Sequence, residues 1–261
     1  MTDSIQFDCD GPLATILLNR PAKRNALTHE MLLDLEDAGR VLRDMADVRA
    51  VIVRAEGEHF SVGMDISAMG SEGDKSHLGL RRQAELGGRM VRALQEIPQP
   101  TVCALQGVAT GGGACIAAAC DFRIASEGAS MGYGEVRLGM NLMWNSVPAC
   151  VALVGPARAK RLIMSGALVD VETLAEWGMI DEIVESGDLL GRATALADEY
   201  ASLPPVAVQM IKRSINHVSG VLDGAAMHAD VDQWILAVRS EDFSEGVAAF
   251  LEKRPGKFSG K

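Results

Sequence analysis

The chain has 261 residues, of which 48% are hydrophobic and 23% charged, and its formal net charge is −10 at pH 7. This length and composition allow a large buried core and argue against a disordered chain. The acidic balance argues against nucleic acid as the main partner, because binding to phosphates needs a basic surface.

The N-terminal segment and the cysteines bear on the cellular compartment. Residues 1–10 contain three aspartates and no export signal, and no apolar run of the chain is long enough to span a membrane. The five cysteines are scattered and lack a C-x-x-C spacing. We therefore expect a cytoplasmic protein with reduced cysteines and no membrane partner.

The first part of the chain alternates strand and helix patterns. Short apolar strands are predicted at residues 13–19 and 50–55, and between them a helix with Thr28 as its N-cap carries apolar residues at steps of three and four. This order predicts a crossover unit and a largely parallel sheet. Residues 71–76 are polar and contain glycine, which predicts a mobile loop.

A run of three glycines follows in the middle of the chain. A helix is predicted at 78–97 and a strand at 101–105, and Gly111 to Gly113 then lead into an alanine-rich helix. The unpaired N–H groups of a helix N-terminus can stabilise an oxyanion, and glycine lets the oxygen approach closely. A tight turn that packs a small-residue helix against a sheet explains this run equally well.

The C-terminal part of the chain is mostly helical in pattern. A strand is predicted at 122–125, and the helices after it are predicted at 147–153, 157–165, 172–176, 189–201, 205–218, 221–238 and 243–253. The pattern favours an α/β core followed by a helical C-terminal region.

Most common catalytic motifs are missing from the sequence. It has no G-x-S-x-G, no H-E-x-x-H and no Walker A motif, and Ile116 occupies the last position of a would-be G-x-G-x-x-G. These absences disfavour a nicotinamide, ATP or zinc enzyme, and we expect no metal site. A second glycine-containing turn at 60–66 could join the glycine run in offering two backbone N–H groups to one oxyanion, as thioester chemistry requires.

Six motifs occur in an order that is typical of one family. They are N-R-P at 19–21 with N-A-L at 25–27, F-S-V-G-M-D-I at 60–66, G-x-A-x-G-G-G at 107–113, E-x-R-L-G at 135–139, V-G-P-A-R-A at 154–159 and F-L-E-K-R at 250–254. In these motifs the chain strongly resembles the enoyl-CoA hydratase/isomerase (crotonase) superfamily. The resemblance implies an α/β crotonase-like core of spiralling ββα units in residues 1–200, a helical trimerisation region in 201–261, and a homotrimer or hexamer.

The resemblance also implies how an acyl-CoA substrate binds. The N–H groups of Met64 and Gly112 would form the oxyanion hole for the thioester carbonyl, and Lys23 and Arg24 look like the contact to the CoA nucleotide, although they could simply be a solvated surface pair. The other implied substrate-binding residues are Ala26, Leu27, Val62, Gly63, Asp65, Ile66 and Gly111. Coenzyme A is part of the substrate, and no separate cofactor is implied.

The acid and base positions depart from the family's hydratases, which use two glutamates. One of these positions is Glu135 in this sequence, but the other is Cys115, and a thiol cannot orient and deprotonate water as a carboxylate does. A single glutamate favours proton transfer, as in a Δ3-Δ2 enoyl-CoA isomerase. The alternatives are an enoyl-CoA hydratase with a substitute group, a non-catalytic CoA-binding protein, a hydrolase with Cys115 as nucleophile, or a Glu135 that merely pairs with Arg137.

A further departure follows Gly139, where many family members have a glycine-rich run. This chain instead has L-M-W-N-S-V at 142–147. The bulky Met143 and Trp144 are expected to narrow or reshape the acyl pocket, or else to fill the core where a helix begins. Asn141 or Asn145 could offer a polar contact to the acyl group.

Overall fold

The computed structural model describes residues 2–66, 76–221 and 223–261. The predicted loop at 71–76 lies outside the described residues except for Ser76, which caps the helix that follows. The strands are β1 (Ile5–Asp10), β2 (Leu13–Leu18), β3 (Ala50–Ala55), β4 (Thr101–Leu105), β5 (Val108–Thr110), β6 (Phe122–Ser126), β7 (Ser130–Gly132), β8 (Val169–Asp170) and β9 (Glu182–Val184).

The helices account for most of the remaining described residues. They are α1 (His29–Leu42), α2 (His77–Gln95), α3 (Gly112–Ala119), α4 (Ser146–Ser165), α5 (Val171–Trp177), α6 (Leu189–Ala201), α7 (Pro205–Ser219), α8 (Asp223–Met227), α9 (Asp230–Ala237) and α10 (Glu241–Leu251). None of the helices in these described ranges has the length and apolarity needed to cross a membrane.

The main sheet has six strands in the order β1-β2-β3-β4-β6-β9. Its first pair is an antiparallel hairpin, and every later pair is parallel, as the alternation of strand and helix patterns predicted. β3 and β4 are buried along almost their whole length, because helices cover both faces of a parallel sheet. Alternate residues therefore enter two cores. Val51, Val53 and Cys103 belong to the larger one, and Ile52 and Val102 pack against α6 in the smaller one.

A second, three-stranded sheet positions the glycine run. Its order is β5-β7-β8, with β5 parallel to β7. β5 ends at Thr110, immediately before Gly111, so that α3 starts from the end of a strand rather than from a free loop. The sequence did not predict β5, because a strand of three residues is too short for a periodic pattern.

Several predicted boundaries differ from the observed ones. The hairpin strand β1 was missed, although Ile5 and Phe7 alternate with polar residues before the turn at Gly11. The two helices predicted at 147–153 and 157–165 form one element with a kink at Gly155, where φ is 76° and ψ 164°. The single helix predicted at 221–238 is instead the two helices α8 and α9. The prediction of Thr28 as an N-cap is confirmed, since its side chain accepts a hydrogen bond from the Met31 N–H.

Candidate active site

The three glycines before and within α3 have different tasks. Gly111 has φ 53° and ψ −123°, a conformation that side-chain-bearing residues rarely adopt, and its N–H donates to Gly132 O at 3.1 Å. A Cβ atom on Gly113 would lie 2.5 Å from Ser61 O, so this glycine allows α3 to pack closely. The N–H of Gly112, in contrast, donates no hydrogen bond within the described part of the chain. The packing interpretation thus applies to Gly113, and Gly112 retains an available donor.

The segment that contains Met64 is fixed on both sides of that residue. Leu27 pairs with Met64 as in a parallel sheet: the Leu27 N–H donates to Gly63 O at 2.8 Å, and the Asp65 N–H donates to Leu27 O at 2.9 Å. Successive N–H groups of an extended strand point to opposite edges. The Met64 N–H therefore points away from Leu27, and it has no acceptor among the described residues.

The two turns meet at Gly63. With φ at 85°, this residue needs the freedom of glycine, and a Cβ atom there would lie 2.9 Å from Thr110 O and 3.4 Å from the Gly112 N atom. The residue next to Met64 is thus packed against the backbone that carries the Gly112 N–H. Two unpaired backbone donors on separately anchored segments lie in one small region, which is the arrangement that an oxyanion hole requires.

Arg20 connects two segments of this region through hydrogen bonds. Its Nη1 atom donates to Ala26 O at 2.9 Å and to Asp65 Oδ2 at 2.7 Å. The side-chain amide of the buried Asn25 donates to two backbone carbonyls of the 56–59 turn, and its oxygen accepts from the Arg20 N–H. The Asp65 carboxylate, a predicted substrate contact, is therefore engaged by Arg20 in this structure. The sequence placed Arg20 in a motif without revealing this role.

The predicted nucleotide contacts lie at the outer end of the same segment. Lys23 and Arg24 are both exposed, and neither forms an ion pair with another described residue. Arg24 is tied to the 60–66 turn, because the Val62 N–H donates to its carbonyl oxygen at 3.2 Å. Of the remaining predicted residues, Ala26 and Leu27 are buried, while Val62 and Ile66 are half-buried.

Glu135 opens a short 3-10 helix, Glu135–Leu138. Its carboxylate reaches the glycine run, since a Cβ atom on Gly111 would lie 3.0 Å from Glu135 Oε1 and 3.8 Å from the Gly63 Cα. The Oε2 atom is buried without a hydrogen-bond partner among the described residues, and no ion pair with Arg137 forms. Burial raises the pKa of Glu135 to about 7. A carboxyl group with such a pKa can take up and return a proton near neutral pH.

Cys115 lies on α3 and is almost completely buried, at 2% exposure. Burial and the nearby Glu135 charge raise the pKa of its thiol well above the usual value. The nucleophile is the thiolate rather than the thiol, so this environment disfavours Cys115 as a nucleophile. Glu135 thus lies close to a thiol that stays neutral.

Tyr133 was not singled out from the sequence. Its hydroxyl is buried and has no partner among the described residues. Burial raises its pKa well above the usual value, and so do the nearby Cys115 and Glu135. The only signal in the sequence was its position two residues before Glu135. Because a buried hydroxyl without a partner is costly, this atom is suited to holding a water molecule or a substrate atom.

The C-terminal helices α9 and α10 pack against the segment that follows Glu135. A Cβ atom on Gly246 of α10 would lie 2.7 Å from the backbone of Leu138, and one on Gly139 would lie 3.0 Å from Asp242. α10 therefore packs directly on the short helix that carries Glu135. On α9, the Asp230 carbonyl accepts from the Asn141 side chain at 3.4 Å. The side chain of Asn141 thus contacts α9, whereas the sequence analysis considered it for a polar contact to the acyl group.

The described residues contain no cluster of three or more His, Cys, Asp or Glu side chains suited to a metal ion.

The sequence and the fold can also be compared with those of known proteins. The family model described as enoyl-CoA hydratase/isomerase matches residues 9–261. A crotonyl-CoA hydratase from Syntrophomonas wolfei is 30% identical over 260 residues and 99% of both chains, and a 1,2-epoxyphenylacetyl-CoA isomerase from Escherichia coli is 31% identical over 100% of both. An enoyl-CoA hydratase/isomerase structure from Pseudoalteromonas atlantica matches with a TM-score of 0.88 and 27% identity over 98% of this chain and 100% of its own. As its six motifs predicted, the chain has the crotonase fold and belongs to the enoyl-CoA hydratase/isomerase family of acyl-CoA-processing enzymes.

Proposed function

We propose that this enzyme is an isomerase-type member of the family that moves a proton along an enoyl-CoA thioester. The observation that carries the proposal is the single buried carboxyl group of Glu135, whose pKa of about 7 suits both uptake and return of a proton. Cys115 stands where a hydratase of the family would present its other glutamate, and its burial keeps it neutral.

The proposed reaction needs one base and one oxyanion hole. The Glu135 carboxylate removes a proton from the α carbon of a 3-enoyl-CoA, and the C–H electron pair moves into the conjugated system to give a dienolate. The Met64 and Gly112 N–H groups donate to the developing oxyanion, and this stabilises the transition state more than the neutral thioester. Glu135 then returns the proton to the γ carbon, and the double bond becomes conjugated with the carbonyl.

Substrate binding follows the same segments. In this proposal Lys23 and Arg24 attract the phosphates of CoA, since both are exposed cations without an ion-pair partner in the described chain. The backbone at Ala26, Leu27, Val62, Gly63, Ile66 and Gly111 lines the thioester, and Asp65 acts through Arg20. No cofactor besides the CoA of the substrate takes part.

A hydratase is the second candidate, and one observation favours it. The unpartnered Tyr133 hydroxyl lies close to Cys115 and Glu135 and could hold the attacking water. The named hydratases among the relatives agree with this alternative.

One assay distinguishes these functions. Purified protein is mixed with crotonyl-CoA and, separately, with a 3-enoyl-CoA, while the absorbance of the conjugated thioester is followed. An isomerase gives a rising signal with the 3-enoyl substrate, a hydratase gives a falling signal with crotonyl-CoA, and a binding protein gives neither. The Glu135→Gln variant is the control, and near-normal turnover by it would refute the assignment of Glu135.

The proposal also covers the oligomeric state of the protein, its domain division and its cellular location. We infer a cytoplasmic homotrimer or hexamer in which residues 201–261 form the associating region. The support is the set of apolar side chains that α7 leaves exposed, among them Val206 at 70%, Met210 at 64% and Ile211 at 60%. Light scattering coupled to size-exclusion chromatography tests it, and a monomeric mass would contradict it.

A further inference from the structure

The indole of Trp144 is wedged between two helices beside the glycine run. A Cβ atom on Gly87 of α2 would lie 1.9 Å from Trp144 Cε2, and one on Gly112 would lie 2.5 Å from Trp144 Cζ3. The Leu27 Cδ1 atom also lies near, at 2.9 Å from the same Gly112 position. The ring therefore lies against the Cα atoms of two glycines, one of which carries a proposed oxyanion donor.

The backbone that delivers the indole has an unusual conformation. Trp144 and Asn145 have φ values of 65° and 58°, so two consecutive residues other than glycine are left-handed. Such strain persists only where surrounding contacts fix it, and it is frequent at functional sites. Here the Ser146 hydroxyl donates to the Trp144 carbonyl at 3.2 Å, and the Ser146 N–H donates to the Met143 carbonyl at 3.3 Å. The position of the ring is therefore fixed from both sides of the turn.

We propose that Trp144 is the residue that sets the acyl size limit of this enzyme, by walling the pocket beside the thioester so that short acyl chains fit and long ones do not. The inference rests on the proposed function, in which the Gly112 N–H holds the carbonyl oxygen. The acyl carbons next to that carbonyl then lie within a few bond lengths of the Gly112 Cα, and the indole occupies the side of Gly112 on which a side chain would stand. A longer chain has to pass the ring.

Binding of saturated acyl-CoAs tests this independently of the reaction type. Calorimetry with butyryl-CoA and decanoyl-CoA is carried out on the wild type and on Trp144→Ala, Trp144→Phe and Trp177→Phe. The wild type should bind butyryl-CoA more tightly, and Trp144→Ala should raise the affinity for decanoyl-CoA relative to butyryl-CoA by about tenfold or more. Trp144→Phe should shift this ratio less. Trp177 on α5 contacts the guanidinium groups of Arg158 and Arg161, so its substitution should leave the ratio unchanged.

The outcomes separate the two proposals. A folded Trp144→Ala protein with the wild-type ratio would overturn the role of Trp144 while leaving the proposed function intact. If that variant does not fold, the same ratio measured on Trp144→Phe decides, and no shift there overturns the inference. Failure of the wild type to bind either acyl-CoA would refute the proposed function itself.

Discussion

At the scale of the residue, Glu135 should control the pH dependence of turnover. Its pKa of about 7 arises from burial, and only the carboxylate form can remove a proton. We therefore expect kcat/KM for a 3-enoyl-CoA to rise with pH through about 7 and then to level off. A two-glutamate hydratase would show a bell-shaped profile instead, because it needs one ionised and one protonated group. A profile without an inflection near neutral pH would contradict the assignment.

The burial of the Glu135 carboxyl group should also make the stability of the folded protein depend on pH. The folded-state pKa is raised, so the folded protein binds more protons than the unfolded chain and loses stability as pH rises from about 4.5 to about 7. Glu135→Gln should thus be more stable than the wild type at pH 8, by roughly 1–3 kcal/mol, but not near pH 4. Glu127→Gln changes an exposed carboxylate and should give the wild-type curve in denaturant melts.

Arg20 should act as a positioning residue. Its guanidinium holds both Ala26 and Asp65, which flank the paired residues Leu27 and Met64. Removing an oxyanion donor altogether lowers kcat by about 100- to 1000-fold. Arg20→Met should only make the position of the Met64 N–H less fixed, so we expect kcat to fall by roughly tenfold to 100-fold, with a smaller change in KM. Arg20→Lys should recover part of the loss in steady-state kinetics. A variant that changes only KM, or only stability, would disprove this positioning role.

At the scale of the element, two adjacent glycines of α2 form a matched pair. A Cβ atom at Gly87 would collide with the Trp144 ring at 1.9 Å, whereas one at Gly88 would come no closer than 3.9 Å, to the Trp144 Cα. Gly87→Ala should therefore destabilise the protein by about 1–3 kcal/mol through overpacking and change its tryptophan fluorescence. Gly88→Ala should be neutral or stabilising by up to about 1 kcal/mol, because alanine favours helix. Equal effects of the two substitutions in chemical denaturation would show that the indole is not wedged as described.

Local sequence patterns predicted many of the secondary-structure elements but not the contact at Gly87. The parallel strands β3 and β4 and the helix α6 were predictable from local patterns, since each is a continuous apolar or periodic run. The contact of Gly87 with the Trp144 indole was not predicted. This contact depends on the left-handed turn at Trp144, which no local preference predicts for tryptophan.

At the scale of the whole molecule, the motifs predict a candidate site but not the distant helices that pack against it. Gly112 and Glu135 could be named from motifs, and the structure brings their segments together around Gly111. Neither the packing of α10 on the Glu135 helix nor the contact of α9 with Asn141 could be predicted from motifs. Both contacts join residues about 90 or more positions apart, and a single sequence carries no signal for such a pairing. Helices beyond the predicted division at residue 200 therefore contact the segment that carries Glu135.

The most direct test of the central claim follows a single proton. A 3-enoyl-CoA deuterated at the α carbon is converted in ordinary water, and the product is analysed by mass spectrometry and NMR. In the proposed mechanism Glu135 acts alone, and its Oε2 atom is buried. We therefore predict a conjugated 2-enoyl-CoA that carries deuterium at the γ carbon, and no such product from Glu135→Gln. A product without any γ deuterium, or a 3-hydroxyacyl-CoA in its place, would contradict the account.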